Sequence, residues 1–130
     1  MIVLDASVVV EMLLGTEAGR RIAPRVLSLE ESPHAPHLLD AEVAQVVRRY
    51  WLGGQIDEKR GREMLEDLAA LPVDRHPHTL LLPRVWELRN IASAYDAVYL
   101  ALSEVLQATL LTCDAALAEA ARAFSAVELL

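Results

Sequence analysis

Cysteine is nearly absent from this sequence: Cys113 stands alone among 130 residues. A single thiol excludes a disulfide framework and any zinc site built from a cysteine cluster. Lysine is as scarce. Lys59 is the only one, so the basic residues are almost all arginine, which suits bidentate contact with carboxylate or phosphate but also follows from genome composition. No apolar run approaches the roughly 20 residues a membrane-spanning helix needs. The first residues lack the basic start and small-residue cleavage site of a secretory signal. These absences predict a cytoplasmic protein with no membrane partner. Positive charge is also in deficit, with a formal net charge of −7. That argues against gripping nucleic acid through a general basic surface. It leaves room for an enzyme whose positive charge arrives as bound metal.

Apolar residues are abundant. They make up 54% of the chain against 24% charged, enough for one core without covalent staples. The length predicts one domain over residues 1–130. Ile2–Leu4 reads as a buried strand, followed by a helix over Ser7–Leu14 that ends at Gly15. A second helical stretch starts at Thr16, with Pro24 disturbing its first turns. "SPHAPHLLD" is a Pro-punctuated connection holding a short edge strand around His34–Ala35. Leu38–Leu52 is a helix closed by Gly53-Gly54. Asp57–Leu71 is another, with Asp57 as N-cap and Pro72 as stop. A strand over Val73–Arg75 precedes a partly helical His78–Arg89. Ala94–Gln107 is a helix apolar nearly all round. A strand over Thr109–Thr112, a helix over Asp114–Ala123 and a last strand over Ala126–Glu128 complete the chain. Short apolar strands separated by helices predict an α/β fold whose parallel sheet is covered on both faces.

Four carboxylates interrupt this apolar pattern. In such a sheet, ligands bind beyond the carboxyl ends of the strands. Asp5 stands there after the first strand and Asp114 just past Thr109–Thr112. Glu42 lies in the apolar stripe of Leu39, Val43, Val46, Val47 and Tyr50, where an unpaired charge is costly. Asp96 begins the apolar helix "DAVYLALSEVL". Taken singly, three of them have ordinary structural uses. Asp114 can cap its helix, Asp96 fits a capping box with Ser93, and Asp5 can sit in a turn leading to a Ser7 N-cap. An arginine partner would account for Glu42. One shared hard cation explains all four together, because Mg²⁺ or Mn²⁺ prefers carboxylate oxygen and keeps several waters. Without a cation, the clustered acids would repel one another and raise some of their pKa values.

The segments "IVLDASVVVEMLL", "HLLDAEVAQVVRR" and "SAYDAVYLALSEVLQATLLTCDAALA" resemble, in order and over the whole chain, the PIN-domain family, and within it the VapC-type toxins of toxin–antitoxin pairs. The resemblance implies a PIN-like three-layer α/β/α sandwich with a short, mainly parallel sheet. It maps the family's acidic quartet onto Asp5, Glu42, Asp96 and Asp114, with Ser7 and Thr112 as flanking hydroxyls. It also implies an Mg²⁺- or Mn²⁺-dependent endoribonuclease acting on RNA, a homodimer, and silencing by a cognate VapB-type antitoxin through which alone operator DNA is reached. The chain departs from the family in "LRNIASAYD", where Ile91 takes the place of a usual Asn and Asn90 is displaced by one. After Asp114, Ala115 and Ala116 stand where many relatives carry a basic residue. These changes bear on substrate or antitoxin contacts and leave the acids complete.

In the expected mechanism, metal held by Asp5, Asp96 and Asp114 orients and acidifies a water, while Glu42 helps hold metal or accepts a proton. Ser7 and Thr112 position a carboxylate or a metal-bound water. Arg89 and Asn90 are candidates for phosphate or antitoxin contact, against a solvated helix end. Arg48 and Arg49 read first as a solvated helix face and second as an RNA contact. Trp51 and Trp86 read as packing or dimer contacts before base stacking. His34, His37, His76 and His78 lack the tight spacing of a zinc motif. A haloacid-dehalogenase-type phosphatase would need an acid where Ser7 stands, and a receiver domain would need a strand-end lysine. The non-enzymatic alternative is a module that binds RNA or antitoxin without cutting.

Overall fold

The computed structural model describes residues 1–28 and 30–130. Its strands are β1 (Ile2–Leu4), β2 (Pro33–Pro36), β3 (Asp74–His76), β4 (Thr109–Thr112) and β5 (Val127–Leu129). Its helices are α1 (Ala6–Leu14), α2 (Glu17–Val26), α3 (Leu38–Leu52), α4 (Glu58–Ala70), α5 (Leu82–Glu87), α6 (Ala94–Leu106) and α7 (Ala115–Ala121), with a 3₁₀ turn over Thr79–Leu81 ahead of α5. All strand pairs are parallel, in the order β3-β2-β1-β4-β5.

Strand alternation splits the core into two layers. Ile2, Leu4 and Leu111 point to one face of the sheet, where Val9, Ile22, Leu39, Val43 and Met64 of α1–α4 cover them. Val3 and Leu110 point to the other, against Val85, Leu100 and Leu117 of α5–α7. Burying each large aliphatic side chain stabilises the fold by about 1.5–3 kcal/mol. The result is the expected three-layer α/β/α sandwich. Among the described residues, no helix is long and apolar enough to cross a membrane.

Three local expectations are corrected. First, α1 begins at Ala6 and its N-cap is Asp5, not Ser7; Asp5 is extended (φ −73, ψ 153) and accepts from the Ser7 amide. Second, β2 is an inner strand, because β3 pairs along its far side, His34 opposite Asp74 and Pro36 opposite His76. Its two prolines stand at the strand ends, where a missing N–H removes least of the ladder. Third, Pro24 lies in the last turn of α2 rather than its first turns, since Thr16 caps the helix through the Gly19 amide at 3.1 Å and α2 runs on to Val26.

The strand order places β1 at the switch point. From β1 the chain winds outward to β2 and β3, then returns to lay β4 on the opposite side of β1. Beyond the carboxyl ends of β1 and β4 the connections part in opposite directions, which leaves a crevice there. Two ion pairs fix the helices beside it. Arg75 of β3 donates to Asp40 of α3 at 2.8 Å and to the Leu68 carbonyl of α4 at 2.7 Å. Arg84 of α5 donates to Glu104 of α6 at 2.8 Å through two nitrogens.

Candidate active site

The floor of the crevice is built by β1 and β4. The Asp5 amide continues the ladder, donating to the Leu111 carbonyl at 3.0 Å, so Asp5 lies beside Thr112. Thr112 Oγ1 donates to Asp5 Oδ2 at 2.9 Å, and the Ser7 hydroxyl donates to the same oxygen. Both hydroxyls are themselves anchored. The Asp114 amide donates to Thr112 Oγ1 and the Cys113 amide to Ser7 Oγ, each at 2.9 Å. Asp5 is therefore buried and satisfied on one oxygen by three donors, counting the Ser7 amide at 3.4 Å.

The other three acids arrive on helices. Asp114 caps α7, with Oδ1 accepting from the Ala116 and Leu117 amides at 2.8 and 3.2 Å. Asp96 stands in the first turn of α6, whose N-cap Ser93 accepts from the Asp96 amide at 3.2 Å. Glu42 comes from α3, on the opposite side of the sheet from α6. The amino ends of α1, α6 and α7 thus face the carboxylates, and their dipoles offset part of the mutual repulsion.

All four border one cleft of about 350 Å³, together with Ser7, Glu11, Val46 and Arg49. Their charges feel one another. Burial, followed by the charges of Asp5 and Asp114, pushes the Asp96 carboxyl above its usual range. Burial raises Glu42 as well, with Asp5 and Asp96 adding to the shift. Below Glu42 lies Tyr99, fully buried, its hydroxyl pushed far up by burial and then by the charges of Glu42, Asp5 and Asp96. That hydroxyl is near enough to favour Glu42's charged form, yet the pair falls short of hydrogen-bond geometry. Glu42 Oε1 and Tyr99 Oη are both buried without a partner among the described residues.

The donors fit an oxygen-preferring divalent cation. They are all carboxylate or hydroxyl oxygen, and Glu42 Oε1 is a buried acceptor in want of positive charge. Among the described residues, no three Asp, Glu, His or Cys side chains stand close enough together to hold a metal ion as they are placed. The carboxylates instead flank an open cleft, which suits an ion that keeps several waters.

Other sequence candidates lie elsewhere. Arg89 is exposed, folds back over the Trp86 ring at 4.8 Å and donates to the Trp86 carbonyl at 2.8 Å. Neither Arg89 nor the exposed Asn90 lines the cleft. His34 Nδ1 and His76 Nε2 are hydrogen-bonded at 2.9 Å across β2 and β3, and burial and the neighbouring ring lower the His34 pKa. Trp51 and Trp86 are both exposed. Conversely, Glu11 and Tyr99 belong to the site and were not singled out, while Arg49, read first as a solvated face, lines the cleft. Glu11 had a readable signal, as the one charged residue in "ASVVVEMLL".

The PIN domain family model matches residues 2–123. "Ribonuclease VapC1" of Mycobacterium tuberculosis is 43% identical over 119 residues, 91% of this chain and 89% of that protein. "VapC ribonuclease Mb0985" of Mycobacterium bovis is 38% identical over 123 residues, 95% of this chain and 93% of that one. The chain belongs to the PIN-domain family, in its VapC branch. The fold has close solved counterparts. PAE2754 from Pyrobaculum aerophilum superposes with a TM-score of 0.71 at 20% identity, covering 97% of this chain and 81% of that one. FitAB bound to an IR36 DNA fragment superposes with a TM-score of 0.69 at 19% identity, covering 99% and 94%.

Proposed function

We infer that this chain is an endoribonuclease toxin of the VapC kind, hydrolysing RNA phosphodiester bonds with a divalent cation, Mg²⁺ or Mn²⁺. The observation that carries the reading is the convergence of four sequence-distant acids on one open cleft at the switch point of the sheet. The ribonuclease names of its relatives support the substrate class. Asp5, Asp96, Asp114 and Glu42 would hold the cation, which supplies a Lewis acid for the phosphate and lowers the pKa of water. The protein does the rest. Ser7 and Thr112 fix the Asp5 carboxylate so that its second oxygen faces the cleft. Capping by Oδ1 of Asp114 orients its carboxylate without consuming Oδ2. Glu42, whose carboxyl burial pushes above its usual range, is placed to exchange a proton with the attacking water or the leaving oxygen.

We further propose partners that follow from charge and exposure. A chain at −7 with an acid-lined cleft attracts a basic segment of a VapB-type antitoxin, and an inserted arginine would replace the cation's charge. Operator DNA would then be reached only through that antitoxin. Leu80, Leu82 and Trp86 are 90%, 51% and 69% exposed on one short stretch, an apolar surface suited to a homodimer in the cytoplasm.

The test is expression of wild type and Asp96→Asn in cells, with new RNA 5′ ends mapped across total RNA. Discrete ends from wild type alone support a metal-site endoribonuclease and name its target. No ends from folded, antitoxin-free wild type would favour the binding module, and equal ends from both would assign the cutting to another nuclease.

A further inference from the structure

The acidic cleft does not end at the carboxylates. A second chamber of about 490 Å³ opens from it, and the two share Glu42, Val46, Arg49 and Asp96 along their common wall. The far wall is made by Tyr95 and Ser93 at the amino end of α6, and Gln45 of α3 faces them. It is less acidic than the first chamber, with Glu42 and Asp96 its only lining acids among the described residues. Arg49 is the only basic residue lining either chamber, and its guanidinium has no ion-pair or hydrogen-bond partner among the described residues. Tyr95 is 64% exposed, directly beside Asp96 in the chain. Gln45 carries an amide that can both donate and accept.

We propose that this second chamber is a nucleotide subsite for single-stranded RNA, in which the base next to the scissile phosphate stacks on Tyr95 while Arg49 holds the adjoining phosphate. The assignment rests on the ribonuclease reading and names where that substrate lies. A chamber of this size accommodates one nucleotide unit. An exposed aromatic face beside an unpaired guanidinium is the pairing that binds unstacked bases and their backbone. A cation on the wall shared by the two chambers also gives the phosphate a place to bind, since the carboxylates alone would repel it. Gln45 reaches the base edge and sets a preference at that one position. A duplex cannot splay a base into the chamber, so the subsite selects single strands or loops.

The experiment uses the full-length protein and a random-sequence single-stranded RNA pool to find a cleavage site, then a defined oligonucleotide containing it. Steady-state kcat and KM are measured for wild type, Tyr95→Ala and Tyr95→Phe. The same is done with an oligonucleotide lacking the base beside the scissile bond. Because Tyr95 is exposed, its truncation leaves the core intact, which thermal melting verifies. Tyr95→Ala should raise KM about 5- to 150-fold, the usual worth of one base–aromatic stack. Tyr95→Phe should restore it, since the stack needs the ring and not the hydroxyl. On the abasic oligonucleotide, Tyr95→Ala should have no further effect, because the two changes remove the same contact. An unchanged KM for Tyr95→Ala on the intact oligonucleotide, with wild type cutting normally, overturns the subsite alone. So does a change confined to oligomeric state by size-exclusion, which would give the surface to a protein instead. A wild-type protein that cuts no RNA overturns the ribonuclease reading and the subsite with it.

Discussion

Thr112 Oγ1 donates to Asp5 Oδ2 at 2.9 Å while accepting from the Asp114 amide at the same distance. One buried hydroxyl therefore ties together two of the four acids and the ends of two adjacent strands. Replacing it tests how much of the site's geometry depends on that tie. Thr112→Val keeps the shape, leaves the Asp114 amide unpaired and takes a donor from Asp5. We expect a loss of about 1–3 kcal/mol in urea unfolding and roughly tenfold in RNA cleavage. Unchanged cleavage with the stability loss would reduce Thr112 to a structural residue.

The wall of the site that carries α1 depends on a close helix crossing. A Cβ on Gly19 of α2 would stand 2.0 Å from the Glu11 carbonyl oxygen and 2.7 Å from the Met12 amide nitrogen, both backbone. Neither can yield as a side chain would. Gly19→Ala should cost on the order of 3 kcal/mol, read from denaturant midpoints, and should displace Glu11 from the cleft. A midpoint within experimental error of wild type would mean that α1 and α2 separate freely.

Asp5 and Asp114 were legible because each follows a short apolar run directly, and Glu42 because it breaks a helical stripe. Those signals are local. The placement of β2 was not legible, because its neighbour β3 lies some forty residues on and the prolines of "PHAP" read as an edge. Tyr95 escaped notice, and the place of Arg49 in the cleft was not legible, for a related reason. Each looks like an ordinary solvated helix residue until α3 and α6, from opposite faces of the sheet, are brought to one cleft. Tyr99 was hidden by its own helix. In "DAVYLALSEVL" every side reads as buried, so nothing in the pattern says where its hydroxyl points. The quartet owes its meaning to assembly, since Asp96 and Asp114 begin or cap helices as their local sequence suggests and Asp5 caps α1 in place of the expected Ser7.

Glu42 Oε1 and Tyr99 Oη are two neighbouring buried polar atoms without hydrogen-bond partners among the described residues. Such groups cost stability that function retains. Tyr99→Phe removes one orphan and keeps the ring, so the cation-free protein should be equally stable or more so, by up to about 1 kcal/mol. Glu42→Gln should also stabilise the cation-free protein while weakening Mn²⁺ binding at least tenfold by electron paramagnetic resonance titration. If both variants unfold earlier than wild type, the two atoms are paired in solution and the strain is absent.

The raised carboxylates give a definite pH dependence. Glu42 and Asp96 both titrate above their ordinary values of 4.5 and 3.8, chiefly through burial. A carboxyl whose pKa is higher folded than unfolded holds its proton more tightly in the native state. Its contribution to stability is full below the ordinary value and is lost as pH rises through the raised one. Cation-free wild type should therefore lose stability, relative to a Glu42→Gln/Asp96→Asn variant, as pH climbs from about 4.5 towards neutrality. Groups remote from the cleft are common to both proteins, so the difference isolates the acids of the cleft. Saturating Mn²⁺ should reverse the slope for wild type alone, because a cation favours the ionised carboxylates. Urea midpoints across that range, with and without Mn²⁺, supply the measurement. Parallel curves for the two proteins would show that the acids do not share one field, and the case for a common cation would fall with them.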